Sequence, residues 1–416
     1  MRHFGRGLAA AGAGVAAVGA ALVLAGCGAG AHLAADPHQA GTTRPASPQP
    51  GAHPVAQTSS TATTRPTATP GTTAPGTTAP GTTAPTGQPS RYGNAAGTAA
   101  VPPAAQAVAT VGPNHHVIGT GSPASCTSAA VVTAVAQGGI ITFNCGPGPV
   151  TITMTATAKV VNTHRRTVID GGGLVTLSGG GNTRILYMNT CDPQQIFTTS
   201  DCWEQQWPQL IVQNLTFTDA YSAVIQTKTS DYGGGAIFAE GGQLKVVNSG
   251  FIDDSCYPSG PDLGGGAIRA LGMWQGTPVY ITSDSFRGGQ CSNGAALSSI
   301  DAAWDVFNSF FVNNRAVGWG QNPQQAGTPG GGSGGAIYTD GDSYNVLIDG
   351  TIMRNNTARE GGGAVFFVVD GGAGTLTIEN SRLHDNPSGQ FQNAPGIFDS
   401  VDGHDVGPVE IQSTVN

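Results

Sequence analysis

Acidic residues recur in this chain behind a repeated glycine cluster. GGGAI stands at 233–237 and 264–268, GGAI at 334–337 and GGGAV at 361–365. Glu240, Asp301, Asp340 and Asp370 follow such segments, while Asp253, Asp254 and Asp262 form a second acidic group. Grouped carboxylates are hard oxygen ligands suited to Ca²⁺, and Arg269, Arg287, Arg315 or Arg354 nearby could serve as a base against an acidic sugar. Glu240, Asp340 and Asp370, however, are each followed directly by glycine, which is the composition of a tight turn. They read as turn residues rather than as a metal site. Asp253 shares its position after a large apolar residue with Asp219, Asn313 and Asp385, and the acidic group matches no EF-hand spacing, so it too reads as structural. Hydrolysis would need two carboxylates facing across a cleft. His164, His384 and His404 lack metal-ligand spacing, and no GxSxG elbow occurs. The catalytic residues therefore stay unknown, no metal or cofactor is called for, and Ca²⁺ enters only if the chain is a lyase.

Aromatic residues offer binding chemistry instead. Trp203 and Trp207 lie in the segment NTCDPQQIFTTSDCWEQQWPQ, Trp319 lies in VGWGQNPQQAGTPGGGSGG, and Trp274 stands between two repeats. Loops on a rigid scaffold commonly carry recognition; tryptophan packed under its own loop is the alternative. If Ile237 and Ile268 point inward, the outward column reads Phe238, Arg269, Ser298, Tyr338 and Phe366. Exposed, these rings could stack on sugars or anchor a protein. Covered by loops, they only pack.

The elements that would position these residues are repeats. LIVQNLTF (210), LKVVNSGF (244), VYITSDSF (279), WDVFNSFF (304), NVLIDGTI (345) and LTIENSRL (376) align on the anchors Phe217, Phe251, Phe286, Phe311, Ile352 and Leu383. Five residues before them runs an apolar column, Val212, Val246, Ile281, Val306, Leu347 and Ile378. Three before runs a small polar one, Asn214, Asn248, Ser283, Asn308, Asp349 and Asn380. Apolar residues two apart mean a strand with one buried face. Units too short to bury that face alone stack into a solenoid. The expected fold is all-β, a parallel β-helix with side-chain ladders along its bends, including Asn314, Asn355 and Asn386. The glycines of GGGAI then mark a bend entering a strand, and the alanines a buried column. Before the repeats, TSAAVVTAVAQGG has an N-cap at Thr127 or Ser125 and a stop at Gly138 and Gly139, a short helix placed to cover the first coil.

The alignment puts Cys256 and Cys291 in one column of adjacent coils, close enough for a disulfide. Cys126 with Cys145 and Cys191 with Cys202 are the local pairs. The seventh cysteine, Cys27, closes an apolar N-terminal run that follows Arg2 and Arg6. Leu24, Ala25, Gly26 and Cys27 resemble a bacterial lipobox, which implies a signal peptide over 1–26 and lipid on Cys27. Residues 27–110 are rich in Ala, Thr and Pro, with GTTAP three times at 71–85, and read as a disordered tether. Residues 111–416 hold 12 basic and 24 acidic residues, a formal charge of −12 that disfavours nucleic acid.

GGA(I/L/V) followed by Phe-x-x-Asn, complete at Phe311, Val312, Asn313 and Asn314, resembles the repeat of chlamydial polymorphic outer membrane proteins. That resemblance covers roughly residues 165–398, and more broadly the domain is similar to the pectin-lyase-like right-handed β-helices of bacterial surface proteins. The resemblance implies a right-handed parallel β-helix over 111–416 and, for function, either an adhesin or a polysaccharide lyase or glycoside hydrolase. Fold alone does not choose between these. The reading leans away from an enzyme. It expects an exported lipoprotein, held by Cys27 on the extracytoplasmic face of a membrane, that binds a polysaccharide or surface protein.

Overall fold

The computed structural model describes residues 92–196, 198–223, 232–261, 263–321, 325–411 and 413–416. The lipobox with Cys27, the tether up to residue 91, and Asp262 lie outside the described residues. Among those described, parallel strands build four sheets of ten, nine, nine and five strands. The chain passes through the sheets in the same order in every repeat. Gln243–Val247 lies in the ten-stranded sheet, Gly250–Ile252 in a nine-stranded anchor sheet, Ser255–Cys256 in the five-stranded sheet and Ile268–Leu271 in a nine-stranded glycine-led sheet. Every strand pair between coils is parallel except Ile397–Val401 with His404–Asp405 at the C-terminal end. This is a parallel β-solenoid.

Two bends carry most of the coil geometry. Asn214, Asn248, Ser283, Asn308, Gly350 and Asn380 all have φ between 47° and 65°, the left-handed region open to glycine and, among other residues, chiefly to short polar ones. Backbone conformation therefore explains why the column is small and polar. The second bend repeats the device at Asp219, Asp253, Gly288, Asn313, Asn355 and Asp385. Within the expected column Asn248 Nδ2 donates to Asn214 Oδ1 at 2.7 Å and Asn380 Nδ2 to Asp349 Oδ1 at 2.9 Å, and further coil-to-coil bonds are made one residue later. Ser249, Asp284, Ser309, Thr351 and Ser381 link coil to coil through backbone N–H groups at 2.6–3.1 Å, and Asn314, Asn356 and Asn386 form an amide ladder at 2.8 and 2.9 Å.

Inside, the rings of Phe217, Phe251, Phe286 and Phe311 stack with centroids 4.7–4.9 Å apart. The next positions are Met353 and Leu383. The coil at 345 is thus displaced by one residue from the alignment above. Ile348 and Met353 face the core where Leu347 and Ile352 were expected, Gly350 makes the bend in place of Asp349, and Asn356 joins the ladder in place of Asn355. A one-residue shift exchanges the faces of a strand; here both alternatives are apolar, so hydrophobicity alone could not choose the register.

Helix Ser128–Gln137 begins at Thr127, whose hydroxyl accepts from the Ala130 N–H at 3.3 Å, and ends at Gly138 with φ 67°. Val131 and Val135 sink into the core. Disulfides join Cys126 to Cys145, Cys191 to Cys202 and Cys256 to Cys291, the last with Cα atoms 4.8 Å apart on adjacent coils. Among the described residues no helix is long and apolar enough to cross a membrane.

The packed chain starts earlier than the boundary at 110 that composition suggested. Ala99 and Asn308 exchange hydrogen bonds at 2.9 and 3.1 Å, Lys245 Nζ donates to the carbonyls of Ala104 and Gln106, and Val108 and the Gln213 side chain bond each other at 2.9 and 3.0 Å. Polar side chains of the coils thus hold this strap through hydrogen bonds to its backbone.

Candidate binding edge

Each strand of the glycine-led sheet ends in a turn leading to the ten-stranded sheet, so these turns line one edge of the solenoid. In one coil the turn is Gly241 and Gly242, both with φ 63°. One coil earlier it is enlarged to residues 190–208, closed by the Cys191–Cys202 disulfide. The short turn Cys202–Glu204 that follows carries Trp203. The residue is 55% exposed, yet its indole Nε1 donates to Glu240 Oε1 at 2.8 Å. Glu240 is itself buried and takes a second hydrogen bond, on Oε2, from Asn189 Nδ2 at 2.6 Å. Gly272 lies against the ring, where a Cβ would approach within 3.0 Å of it. Trp203 is therefore a presented but immobilised ring.

Trp274, half-buried on the turn Trp274–Gly276, packs beside the Trp203 turn, and its backbone N–H donates to the Gly242 carbonyl at 3.1 Å. Trp207 is half-buried on the same edge, with the Arg165 guanidinium 4.7 Å from its ring centroid. Trp319 does not join them. Its insertion lies between Arg315–Ala316 and Ile337–Asp340 and so enters the glycine-led sheet from the other side; there its ring, 38% exposed, meets Arg359 at 5.0 Å.

The outward column between these two borders does not present an exposed surface, which corrects the more open of the two expectations. Ile237 and Ile268 do face the core, but Phe238, Arg269, Ser298, Tyr338 and Phe366 are all buried. Phe238 stacks on Tyr187 at 5.4 Å beneath the Arg184 guanidinium. Arg269 Nη1 donates to Ser298 Oγ at 2.7 Å, and the turns at Gly233 and Gly264 press on the Arg269 side chain. Tyr338 stacks on Phe366 at 4.9 Å, and Phe366 on Phe398 at 5.3 Å.

The same edge turns acidic toward the C-terminus. Asp301 Oδ1 accepts from the Asp342 N–H at 2.6 Å; loss of solvent in that turn, and then the Asp342 charge, raise its pKa. Asp370 is likewise raised, first by burial and then by Asp342, Asp301 and Asp402. Asp301 and Asp402 bend the backbone with φ 50° and 55°. Among the described residues no group of three or more His, Cys, Asp or Glu side chains is arranged to hold a metal. The other arginines lie elsewhere: Arg287 and Arg354 flank the Phe310 ring at 4.6 and 5.2 Å on the anchor sheet, and Arg315 donates to Gln290 Oε1 at 2.7 Å.

Asp254 and Asp284 are buried carboxyls that the sequence reading did not mark as such. Asp254 accepts from the Ala220 N–H at 2.9 Å, and Asp284 from the N–H groups of Ser249 and Thr282 at 2.6 and 2.9 Å. Burial raises both well above the usual carboxylate range. Comparison of the chain with protein-family models, with curated proteins and with solved structures gives no match.

Proposed function

We propose that the chain is an exported lipoprotein, anchored through Cys27, whose right-handed β-helix acts as an adhesin-like module for glycan or protein partners, with helix Ser128–Gln137 covering its first coil. Right-handed crossover is the hand that parallel strand connections take almost without exception. The observation that carries the binding reading is Trp203. The residue is more than half exposed while Glu240, Gly272 and the nearby disulfide hold it in one position. An aromatic face ordered in advance loses little conformational freedom when a sugar or a protein side chain stacks on it. Trp274 extends the same surface by one neighbouring turn. The acids and Arg269 favour no chemistry beside it: Glu240 and Asp340 end strands rather than sit in turns and are taken up by Trp203, Asn189 and Tyr338, Asp301 holds a turn, and Arg269 is only 3% exposed.

Incubation of residues 28–416 with a panel of wall polysaccharides and polyuronates, with and without Ca²⁺, is expected to show binding without cleavage. Trp203→Ala should weaken that binding at least tenfold. Unsaturated or shortened products would overturn the non-catalytic reading, and undiminished binding by Trp203→Ala would overturn the choice of edge. Cys27→Ala is expected to release the protein from the membrane fraction; unchanged retention would contradict the anchor.

A further inference from the structure

The outer face of the anchor sheet differs in charge from the rest of the solenoid. From Thr151 to Thr414 its outward positions hold no acidic residue, although residues 111–416 carry twice as many acidic as basic residues. In the later coils those positions include Arg287, Arg354 and Arg382, all exposed. The register sets Arg287 and Arg354 in one column, two coils and so about 10 Å apart, with Arg382 in the neighbouring column one coil further on. The Phe310 ring holds the first two guanidinium groups against the sheet. Among the described residues none of the three arginines pairs with a carboxylate, and Asp385, in the bend beside them, is bonded to His384 Nδ1 at 2.8 Å.

The strap begins on this same face. Tyr92 and Thr216 share a hydrogen bond between their hydroxyls, the Tyr92 ring lies where Gly250 has no side chain, and the Gly93 N–H donates to Ser285 Oγ at 2.9 Å. Thr216, Gly250 and Ser285 stand in the column that continues through Phe310 and Ile352 to Arg382. Residues 28–91, which lead back to Cys27, therefore join the body beside the arginines. A tether keeps the body at high effective concentration near its anchor, so a modest attraction is enough to seat one face there. Guanidinium groups near an anionic lipid surface supply it, at roughly a fivefold gain in binding per charge. The half-buried Phe310 and Ile352 add apolar surface between the charges, which suits the boundary of a bilayer better than a soluble anion.

We propose that the outer face of the anchor sheet seats the body on an anionic membrane, with lipid phosphates against Arg287, Arg354 and Arg382. Only the way the body reaches the membrane rests on the anchor reading above. The ten-stranded sheet lies between this face and the tryptophan edge, so docking leaves that edge free. The test is co-sedimentation of residues 28–416 with vesicles of equimolar phosphatidylcholine and phosphatidylglycerol and with vesicles of phosphatidylcholine alone, beside titration with soluble polyglutamate. That chain lacks Cys27, so the outcome is independent of the Cys27→Ala fractionation that tests the anchor. The phosphatidylglycerol vesicles are expected to bind it and to release it as salt is raised, while phosphatidylcholine alone does not bind. The triple variant Arg287→Gln, Arg354→Gln, Arg382→Gln should bind at least tenfold more weakly with an unchanged unfolding midpoint. Arg165→Gln with Arg166→Gln, which removes exposed charge from the N-terminal end, should change binding less than twofold. Equal binding to both vesicles, binding indifferent to the triple variant, or an equal loss in the Arg165 and Arg166 pair would overturn the proposal. Polyglutamate bound as tightly as the vesicles would assign the face to an acidic protein instead.

Discussion

Asp254 shows how much a single position in a ladder can decide. It occupies the place that Asn314, Asn356 and Asn386 hold in later coils, but one of its carboxylate oxygens has no hydrogen-bond partner. Its pKa is raised by burial, with the charges of Asp219 and Asp253 adding to the effect. A carboxyl whose folded pKa exceeds its unfolded value contributes stability below the unfolded value and loses it as pH rises through the folded one. Asp254→Asn removes that loss, and its amide could donate to a carbonyl as Asn314 Nδ2 does to Phe286 at 3.2 Å. The variant is expected to be more stable than the parent at pH 7 by on the order of 1–3 kcal/mol, with the advantage shrinking toward pH 4. Urea unfolding at the two pH values measures this; an equal or smaller stability at pH 7 would contradict it.

Among the elements, the phenylalanine stack is the most exacting. Phe286 lies between Phe251 and Phe311, both at 4.7 Å, and a cavity there would open in the middle of the column. Phe286→Ala should cost about 3–5 kcal/mol and Phe286→Leu much less, as read from denaturant midpoints. Equal costs for the two would mean that the ring's volume is not what the coils pack around. This column was legible in the sequence because five-residue spacing and a large apolar anchor survive in every coil. The register at 345–356 was not, because Leu347 and Ile348, like Ile352 and Met353, are both apolar and the bend fits either Asp349 or Gly350. The candidate site was legible in part. The tryptophans stood out, but partners distant in sequence, such as Glu240 for Trp203, and the burial of Phe238 and Arg269 depend on which coils stack.

At the scale of the whole molecule, stacking gives a scaffold in which each coil contacts mainly its neighbours, so surface features are ordered along its length. One edge runs from His164 and Arg165 through Trp207, Trp203 and Trp274 to Asp301, Asp342, Asp370 and Asp402. The strap over residues 92–110 crosses several coils and brings the chain onto the body beside Asn308 rather than at the end of the stack. The central claim is that the tryptophan edge is a prebuilt binding surface, and the five tryptophans report on it directly. In the protein labelled with 5-fluorotryptophan, fluorine NMR with a glycan bound in the polysaccharide panel should move the Trp203 and Trp274 resonances. The resonance of Trp304, buried in the core with its Nε1 on Ser299 Oγ at 2.9 Å, should stay in place. Unmoved Trp203 and Trp274 signals at saturation would contradict the account.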